Sequence, residues 1–477
     1  MSHSKILHAA VDVFKQNFSM FCRNEAGSFD KLDEETLRKV TQGLMDAARA
    51  AGQAGLAQYL TQHDQRCAAT VRNGIVYRYK GQSLNEVLTM FGTIAINRSM
   101  YYDEAGGGDY LFPLDQAIGL DKDDFATLDT REMILYTTAS CTPQETADLL
   151  QKCSLCKPSR TAIQNIIVKD GQCMEQLRPE LAQRVLSDQH IPSTTKAFVA
   201  SLDGVNVLLR EPGEKKGRKG RRPDKAPTVT SAASPTSYHN AMVGAFSFYQ
   251  QDDQGDPLRI SSIYTARMPE ENAAAFKDDF LRIIDDVNRK IAAGTEPIFK
   301  VLLCDGHRNN WSFAKECAPL KGYAHLLDFF HTAEHLAAAA DAMYGEKTDT
   351  SKWWYGKWRD ALKVDRDAPQ SILRSMQGYS RRIKMSKNRR DILKASITFF
   401  KRNKRLMHYP VFIKRGLPIG SGPVEAAAKT IVKQRMCRSG MRWSREKGQH
   451  VLTIRAYVKS SLWEQAWHEY KEQRKAA

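Results

Sequence analysis

The chain has 477 residues, 42% of them hydrophobic, with 71 Lys+Arg against 54 Asp+Glu and a formal charge of +17. That length exceeds one ordinary domain, and the balance of apolar and charged residues excludes both a disordered chain and a membrane protein. No apolar run reaches the ~18 residues of a membrane span, and Met1 to Phe21 lacks the order of a secretory signal, so a cytoplasmic location is expected. Nine cysteines, with only Cys153 and Cys156 closely paired, read as thiols rather than a disulfide framework.

Residues 1–66 read as amphipathic helices, with Phe14, Phe18, Phe21 and later Leu37, Val40, Leu44 and Ala48 at helical spacing. Residues 67–125 change to alternation rich in β-branched side chains, a small β-rich module with turn material at Gly106-Gly107-Gly108. In residues 126–192, Thr142-Pro143-Gln144-Glu145 predicts a capped helix start and a second helix begins near Ser159. Two short helices about a tight turn resemble a helix-turn-helix whose second helix presents Arg160, Gln164 and Lys169 to DNA; the alternative is an ordinary helical hairpin. Cys141, Cys153, Cys156 and Cys173 raise a zinc reading that a single close pair supports poorly.

Residues 193–335 read as strand, strand, strand, helix, strand, helix, strand, which predicts a mixed α/β sheet. The strands are residues 198–209, 241–249, 258–265, 298–304 and 323–329, and a polar loop expected to be mobile fills 211–237. Residues 336–410 are helical and basic, with a dense run at Arg381, Arg382 and Lys384. Residues 411–477 carry a Gly/Pro-rich stretch, Gly416 to Pro423, then a helix through about Met436 and a basic tail.

Charge is concentrated toward the end of the chain. Residues 351–477 hold 31 Lys+Arg and 9 Asp+Glu, net +22, leaving 40 against 45 for residues 1–350. Trp353, Trp354, Trp358, Tyr379, Tyr409, Trp443 and Trp463 are interleaved there, and a basic surface with aromatics suits a phosphate backbone and its bases. The alternative is a solvated basic surface over core aromatics.

Three carboxylates stand where chemistry would need them. Asp203 interrupts the apolar first strand, Asp305 ends the fourth, and Glu425 begins the helix after the Gly/Pro stretch. If the first and fourth strands are adjacent, Asp203 and Asp305 meet at one sheet edge, and the economical reason to hold two anions together is a divalent cation. Two aspartates and a glutamate on two Mg²⁺ ions suit phosphodiester cleavage and strand transfer. Each carboxylate taken alone also has a plain structural reading, as a turn Asp-Gly pair or an i,i+4 partner of Lys429.

Phe198 to Gly204, Leu302 to Trp311, Leu327 to His335 and Gly416 to Arg445 resemble the catalytic blocks of bacterial insertion-sequence transposases of the Kra group, relatives of the Mutator-like transposases. The likeness spans roughly residues 70–470 and is most specific at Pro418-Ile419-Gly420-Ser421-Gly422-Pro423-Val424-Glu425-Ala426-Ala427. It implies an RNase H-like core interrupted by an all-α insertion, with Asp203, Asp305 and Glu425 as the Asp-Asp-Glu triad on Mg²⁺ or Mn²⁺. It also implies that Asp328 and His331, in an Asp-x-x-His element, support the active site. Recognisable N-terminal cysteine pairs, common in relatives, are missing here.

The expected activity is therefore cleavage and transfer of the protein's own element ends. The alternatives are an idle DNA-binding regulator of the same descent and a nuclease that cleaves without joining. Expected partners are double-stranded element ends and target DNA and at least a second protomer, with no membrane, in the nucleoid-associated cytoplasm of a bacterium. Arg160, Gln164, Lys169, Arg381, Arg382, Lys384, Lys429, Lys433 and Arg435 are the expected DNA contacts. His331-Thr332-Ala333-Glu334-His335 also satisfies the inverted metallopeptidase pattern, a reading that leaves the basic quarter and both aspartates unexplained. Cys304 and Cys317 read as inert thiols.

Overall fold

The computed structural model describes residues 2–25, 32–103, 108–121, 123–153, 156–210 and 238–476. The loop 211–237 and Gly106-Gly107 lie outside the described residues. The chain divides into two compact units, residues 1–170 with 471–477 and residues 171–470.

In the first unit, α1 (Ser2–Asn24) and α2 (Glu34–His63) pack on each other, and Asp33 caps α2 by accepting the Thr36 N–H at 2.8 Å. β1 (Ala69–Arg72), β2 (Ile75–Thr89), β3 (Gly92–Tyr102) and β4 (Tyr110–Leu111) form an antiparallel sheet in sequence order. The first half of β3 alternates buried and exposed residues, so one face closes on a core of Leu60, Val87, Ile94, Ile96, Leu114 and Leu120.

Short α3 (Pro113–Ala117) and α4 (Leu128–Thr138) lead to α5 (Pro143–Cys153), which starts on the expected reciprocal cap. The Thr142 N–H donates to Glu145 Oε2 at 2.7 Å and the Glu145 N–H to Thr142 Oγ1 at 3.2 Å. α6 (Arg160–Gln176) is capped by Ser159 and, through Asp170, belongs to this unit. Ile163, Ile166 and Ile167 face inward while Arg160 and Gln164 are exposed. Lys169, expected to face DNA, instead pairs its ammonium with Asp124 at 2.6 Å. Asp124 and Asp170 also clasp Arg131, whose side chain is 2% exposed, and Arg474 joins both aspartates.

The second unit is built on five strands, β5 (Ala197–Leu208), β6 (Tyr238–Gln251), β7 (Pro257–Arg267), β8 (Phe299–Cys304) and β9 (Ala324–Leu327), in the order β7-β6-β5-β8-β9. β5, β6 and β7 are antiparallel, while β8 and β9 run parallel to β5, a mixed sheet as the sequence predicts. β5 and β8 are near-continuous apolar runs because both faces of the central sheet are covered. α7 (Arg178–Ser187), α8 (Ala274–Ala293) and α9 (Arg308–Glu316) complete this part.

One expected strand end is corrected: β9 stops at Leu327, and Phe329 opens α10 (Phe329–Tyr344). The Asp328 carboxylate accepts the N–H groups of Phe330 and His331, turning an apolar run that continues past the strand into a helix. α11 (Asp349–Val364), α12 (Ala368–Arg382), α13 (Lys387–Asn403) and α14 (Tyr409–Lys414) come next. Their Trp354, Leu362, Ile372, Met376, Phe400 and Tyr409 join one continuous core with Phe198, Phe246 and Leu302 of the sheet. The aromatics interleaved with the basic residues are therefore mostly core. Trp354, Tyr409 and Trp463 are buried and only Trp353 stands out, at 62% exposed, because rings of that area gain most from burial.

The chain ends through α15 (Gly422–Ala427), a π-helical turn (Ala428–Lys433), α16 (Gln434–Met436), α17 (Arg445–Lys459) and α18 (Trp463–Ala476). Among the described residues no helix is long and apolar enough to cross a membrane.

Candidate active site at the ends of the parallel strands

β5 and β8 pair in parallel with Ala197 opposite Phe299 and Ala200 opposite Leu302. The pairing ends there; three residues further on, β5 carries Asp203 and the chain leaving β8 carries Asp305. Both aspartates line one cleft of about 400 Å³, with Asn240, Lys277 and Asn310. α15 packs on β5 and β6, and its Glu425, though not in the lining of that cleft, is near enough for its charge to act on Asp203.

The electrostatics report that meeting. Burial pushes the Asp203 carboxyl up from the usual carboxylate range, and the negative charges of Asp305 and Glu425 push it further. The Gly204 N–H, donated to Asp203 Oδ1 at 2.7 Å, and the Lys433 ammonium act in the opposite sense. An anion held against burial and two like charges is a poor arrangement for stability alone.

Each carboxylate has its own local frame. Asp305 Oδ1 accepts the His307 N–H at 3.0 Å and the Asn310 amide at 2.9 Å, while Trp311 Nε1 donates to the Asp305 carbonyl at 2.8 Å. Gly306 next to it must lack a side chain, since a Cβ there would lie 2.5 Å from the Phe399 ring of α13. Glu425 is exposed, and its Oε1 accepts the Ser421 hydroxyl at 2.9 Å.

The π-helical turn after Glu425 is held by a buried cation. Arg455, 3% exposed on α17, donates Nε to the carbonyls of Thr430 and Ile431 at 2.9 Å each, groups that an i→i+5 ladder leaves tilted from their usual partners. Burial, and then Arg438, bring its pKa down to about 10. This widened turn leaves Lys429 and Lys433 exposed, with Lys433 close enough to act on Asp203.

Arg435, an expected DNA contact, is 1% exposed with its guanidinium 5.0 Å from the Trp443 ring, a packing position rather than an open one. Arg381, Arg382 and Lys384 are exposed at the end of α12 and just beyond it.

Asp328 is 1% exposed and lies beside the carboxylates without joining their cleft. Its neighbour His331 meets His335 edge to face at 5.1 Å, and His335 stacks on Phe399 at 3.8 Å. Burial, then His331 and Arg402, bring the His335 pKa down to about 4, so that ring is neutral at physiological pH. Cys304 is fully buried and its thiol is pushed well above the normal range by that burial, an inert environment.

Among the described residues no group of three or more His, Cys, Asp or Glu side chains is gathered tightly enough to cage a metal ion. Mg²⁺ does not require a cage, since it commonly binds through one or two carboxylates, waters and substrate phosphates. Carboxylates whose charges act on one another offer the oxygen donors such an ion takes. Asp203, Asp305 and Glu425 are the carboxylates the sequence singles out, and their charges act on one another here. Sequence reading missed the roles of Ser421, tied by its N–H to Asp328, and of Arg455, tied to Thr430 and Ile431, because these bonds join separate segments of the chain.

No known family matches the sequence, and no curated protein matches it. Among solved structures, the Drosophila P element transposase strand transfer complex is similar over 74% of this chain and 83% of that chain, at 12% identity and a TM-score of 0.24, a likeness too loose to carry an argument.

Proposed function

We propose that the protein is a DNA transposase of the Asp-Asp-Glu type, with an RNase H-like core that cleaves and rejoins the ends of its own element. The reading rests on one observation: Asp203 on β5 and Asp305 just past the end of β8 line one cleft, and the charges of Asp305 and Glu425 both act on Asp203. The sheet order β7-β6-β5-β8-β9 is compatible with that core.

Asp203, Asp305 and Glu425 would hold Mg²⁺, or Mn²⁺ in its place. When bound, the ions activate the attacking oxygen and stabilise the leaving one. The chain's own share is orientation and charge. The Asp305 turn fixes one carboxylate, the Gly204 N–H another, and Lys433 supplies a cation near Asp203 that can meet a phosphate oxygen. Positive charge on the last quarter of the chain draws in the duplex. Two DNA ends held together require at least two protomers.

The test is purified protein with a labelled duplex carrying the inverted repeats that flank its gene. Strand cleavage at the repeat boundary and joining to a target duplex should appear with Mg²⁺ and vanish in EDTA. Cleavage without joining would leave a nuclease, and binding without cleavage a regulator. Binding itself should track charge. Replacing the exposed Arg381, Arg382 and Lys384 by alanine should weaken affinity for any duplex and make the plot of log affinity against log salt shallower by about three units, one per lost phosphate contact. An unchanged slope would remove this surface from the DNA path.

A further inference from the structure

Ser421 occupies the N-cap position of α15, where a serine hydroxyl ordinarily accepts an N–H of the helix's first turn. Here it makes no such cap. The hydroxyl donates to the carboxylate of Glu425 instead, at 2.9 Å, while the Ser421 carbonyl makes the ordinary first helical bonds, accepting the Val424 and Glu425 N–H groups at 2.9 and 3.1 Å. A residue that forgoes the usual helix cap to hold a neighbour's side chain is placed for that side chain.

Ser421 is itself anchored. It is 4% exposed, and its N–H donates to Asp328 Oδ1 at 2.8 Å, a bond across 93 residues of chain. The other oxygen of Asp328 accepts the His331 N–H at 2.9 Å, and the Asp328 N–H donates to the carbonyl of Cys304 at 2.9 Å. Cys304 immediately precedes Asp305. The Phe329 N–H reaches the carbonyl of Ile419 at 3.0 Å, a second strut between the same two segments. Gly420 lets them close up, because a Cβ there would lie 2.4 Å from the Phe330 ring.

Three hydrogen bonds therefore lead from the backbone beside Asp305 to the carboxylate of Glu425: Asp328 N–H to Cys304 O, Ser421 N–H to Asp328 Oδ1, and Ser421 Oγ–H to Glu425 Oε1. Glu425 is the exposed member of the triad, on a flexible side chain whose carboxylate Ser421 holds. We propose that Ser421 is a positioning residue that orients the Glu425 carboxylate toward Asp305 for a divalent cation, with Asp328 as its anchor. The inference rests on the triad reading. One Glu425 oxygen is held by the hydroxyl, so the other is directed rather than free to rotate away.

The experiment compares wild type, Ser421→Ala, Ser421→Thr and Asp203→Asn, each bound to duplex DNA, in a Mg²⁺ titration read two ways: the rise in melting temperature and the rate of end cleavage. Outer partners of metal ligands typically account for about 10–100-fold in metal affinity or activity. Ser421→Ala should thus need about 10–100-fold more Mg²⁺ for half-maximal response in both readouts, at unchanged DNA affinity, and Ser421→Thr, which keeps the hydroxyl, should restore most of it. A Ser421→Ala variant that melts lower but responds to Mg²⁺ at the wild-type concentration would make Ser421 a structural residue only and overturn the proposal. So would failure of Ser421→Thr to recover. If wild type itself shows no Mg²⁺ response that Asp203→Asn removes, the triad reading fails and this inference falls with it.

Discussion

Asp203→Asn, Asp305→Asn and Glu425→Gln should each bind duplex DNA as wild type does while losing cleavage and joining by on the order of 10⁴-fold or more. Each change removes a charge that the proposed Mg²⁺ site needs and keeps nearly the same shape, and because residues of one such site act as a unit, double and triple variants should be little worse than singles. Gel-based cleavage of a labelled element end measures this directly. Wild-type-like cleavage by any one of the three would place the site elsewhere.

The same substitutions carry a stability signature of their own. The folded protein raises the Asp203 pKa, through burial first and then Asp305 and Glu425. A carboxyl with a raised folded pKa favours the folded state below its unfolded value, about 3.9, and that contribution is lost as pH rises through the raised value. At neutral pH the ionised Asp203 is accordingly a cost. Without Mg²⁺, Asp203→Asn should melt at or above the wild-type temperature, and Mg²⁺ should raise the wild type alone.

The largest purely structural effect is expected in the first unit, at Asp170. Arg131 is 2% exposed between Asp170 and Asp124, with Lys169 and Arg474 drawn to the same two carboxylates. Removing one anion leaves buried like charges facing each other, so Asp170→Ala should lower the unfolding free energy of this unit by about 3–5 kcal/mol. Hydrogen exchange on the full chain, comparing residues of the two units, separates this loss from global unfolding. Protection unchanged in residues 123–153 would show that the network contributes nothing net. Burial alone would raise the Asp124 pKa, but Arg131, Lys169 and Arg474, with the Asp121 backbone, more than offset it and the net shift is downward. That contribution is present above the unfolded value of about 3.9 and is lost as pH falls below it. The first unit should therefore loosen in acid.

How much the sequence discloses depends on how locally each feature is encoded. A central strand covered on both faces must be continuously apolar, so β5 and β8 stand out in the chain and an aspartate within or after them is conspicuous. Likewise the cap of α5 lies within four consecutive residues. Charge pairing is not local in that way. Lys169 and Arg435 have the composition of DNA-facing residues, yet one is tied to an aspartate 45 positions earlier and the other lies under Trp443. The basic, aromatic-rich last quarter suggested stacking platforms, but a tryptophan's preference for the interior outweighs its charged neighbours, as Trp354 and Trp463 illustrate. The end of β9 misleads for a related reason: apolar residues continue from strand into helix, and only the Asp328 cap, closed by a serine 93 residues away, marks the change.

The π-helical turn at Ala428–Lys433 makes chain length itself informative there. A π turn holds one residue more than the α path it replaces, so losing a single residue would let the ladder relax to i→i+4. Because the residue lost is the one the π turn adds, the residues beyond it would keep nearly the same face of the helix. Met436 would stay on the core, while Arg455 would face carbonyls already satisfied within the helix. The extra residue is therefore kept for the two carbonyls it frees, and the cost of deleting it falls on the buried Arg455 rather than on the phase of the helix.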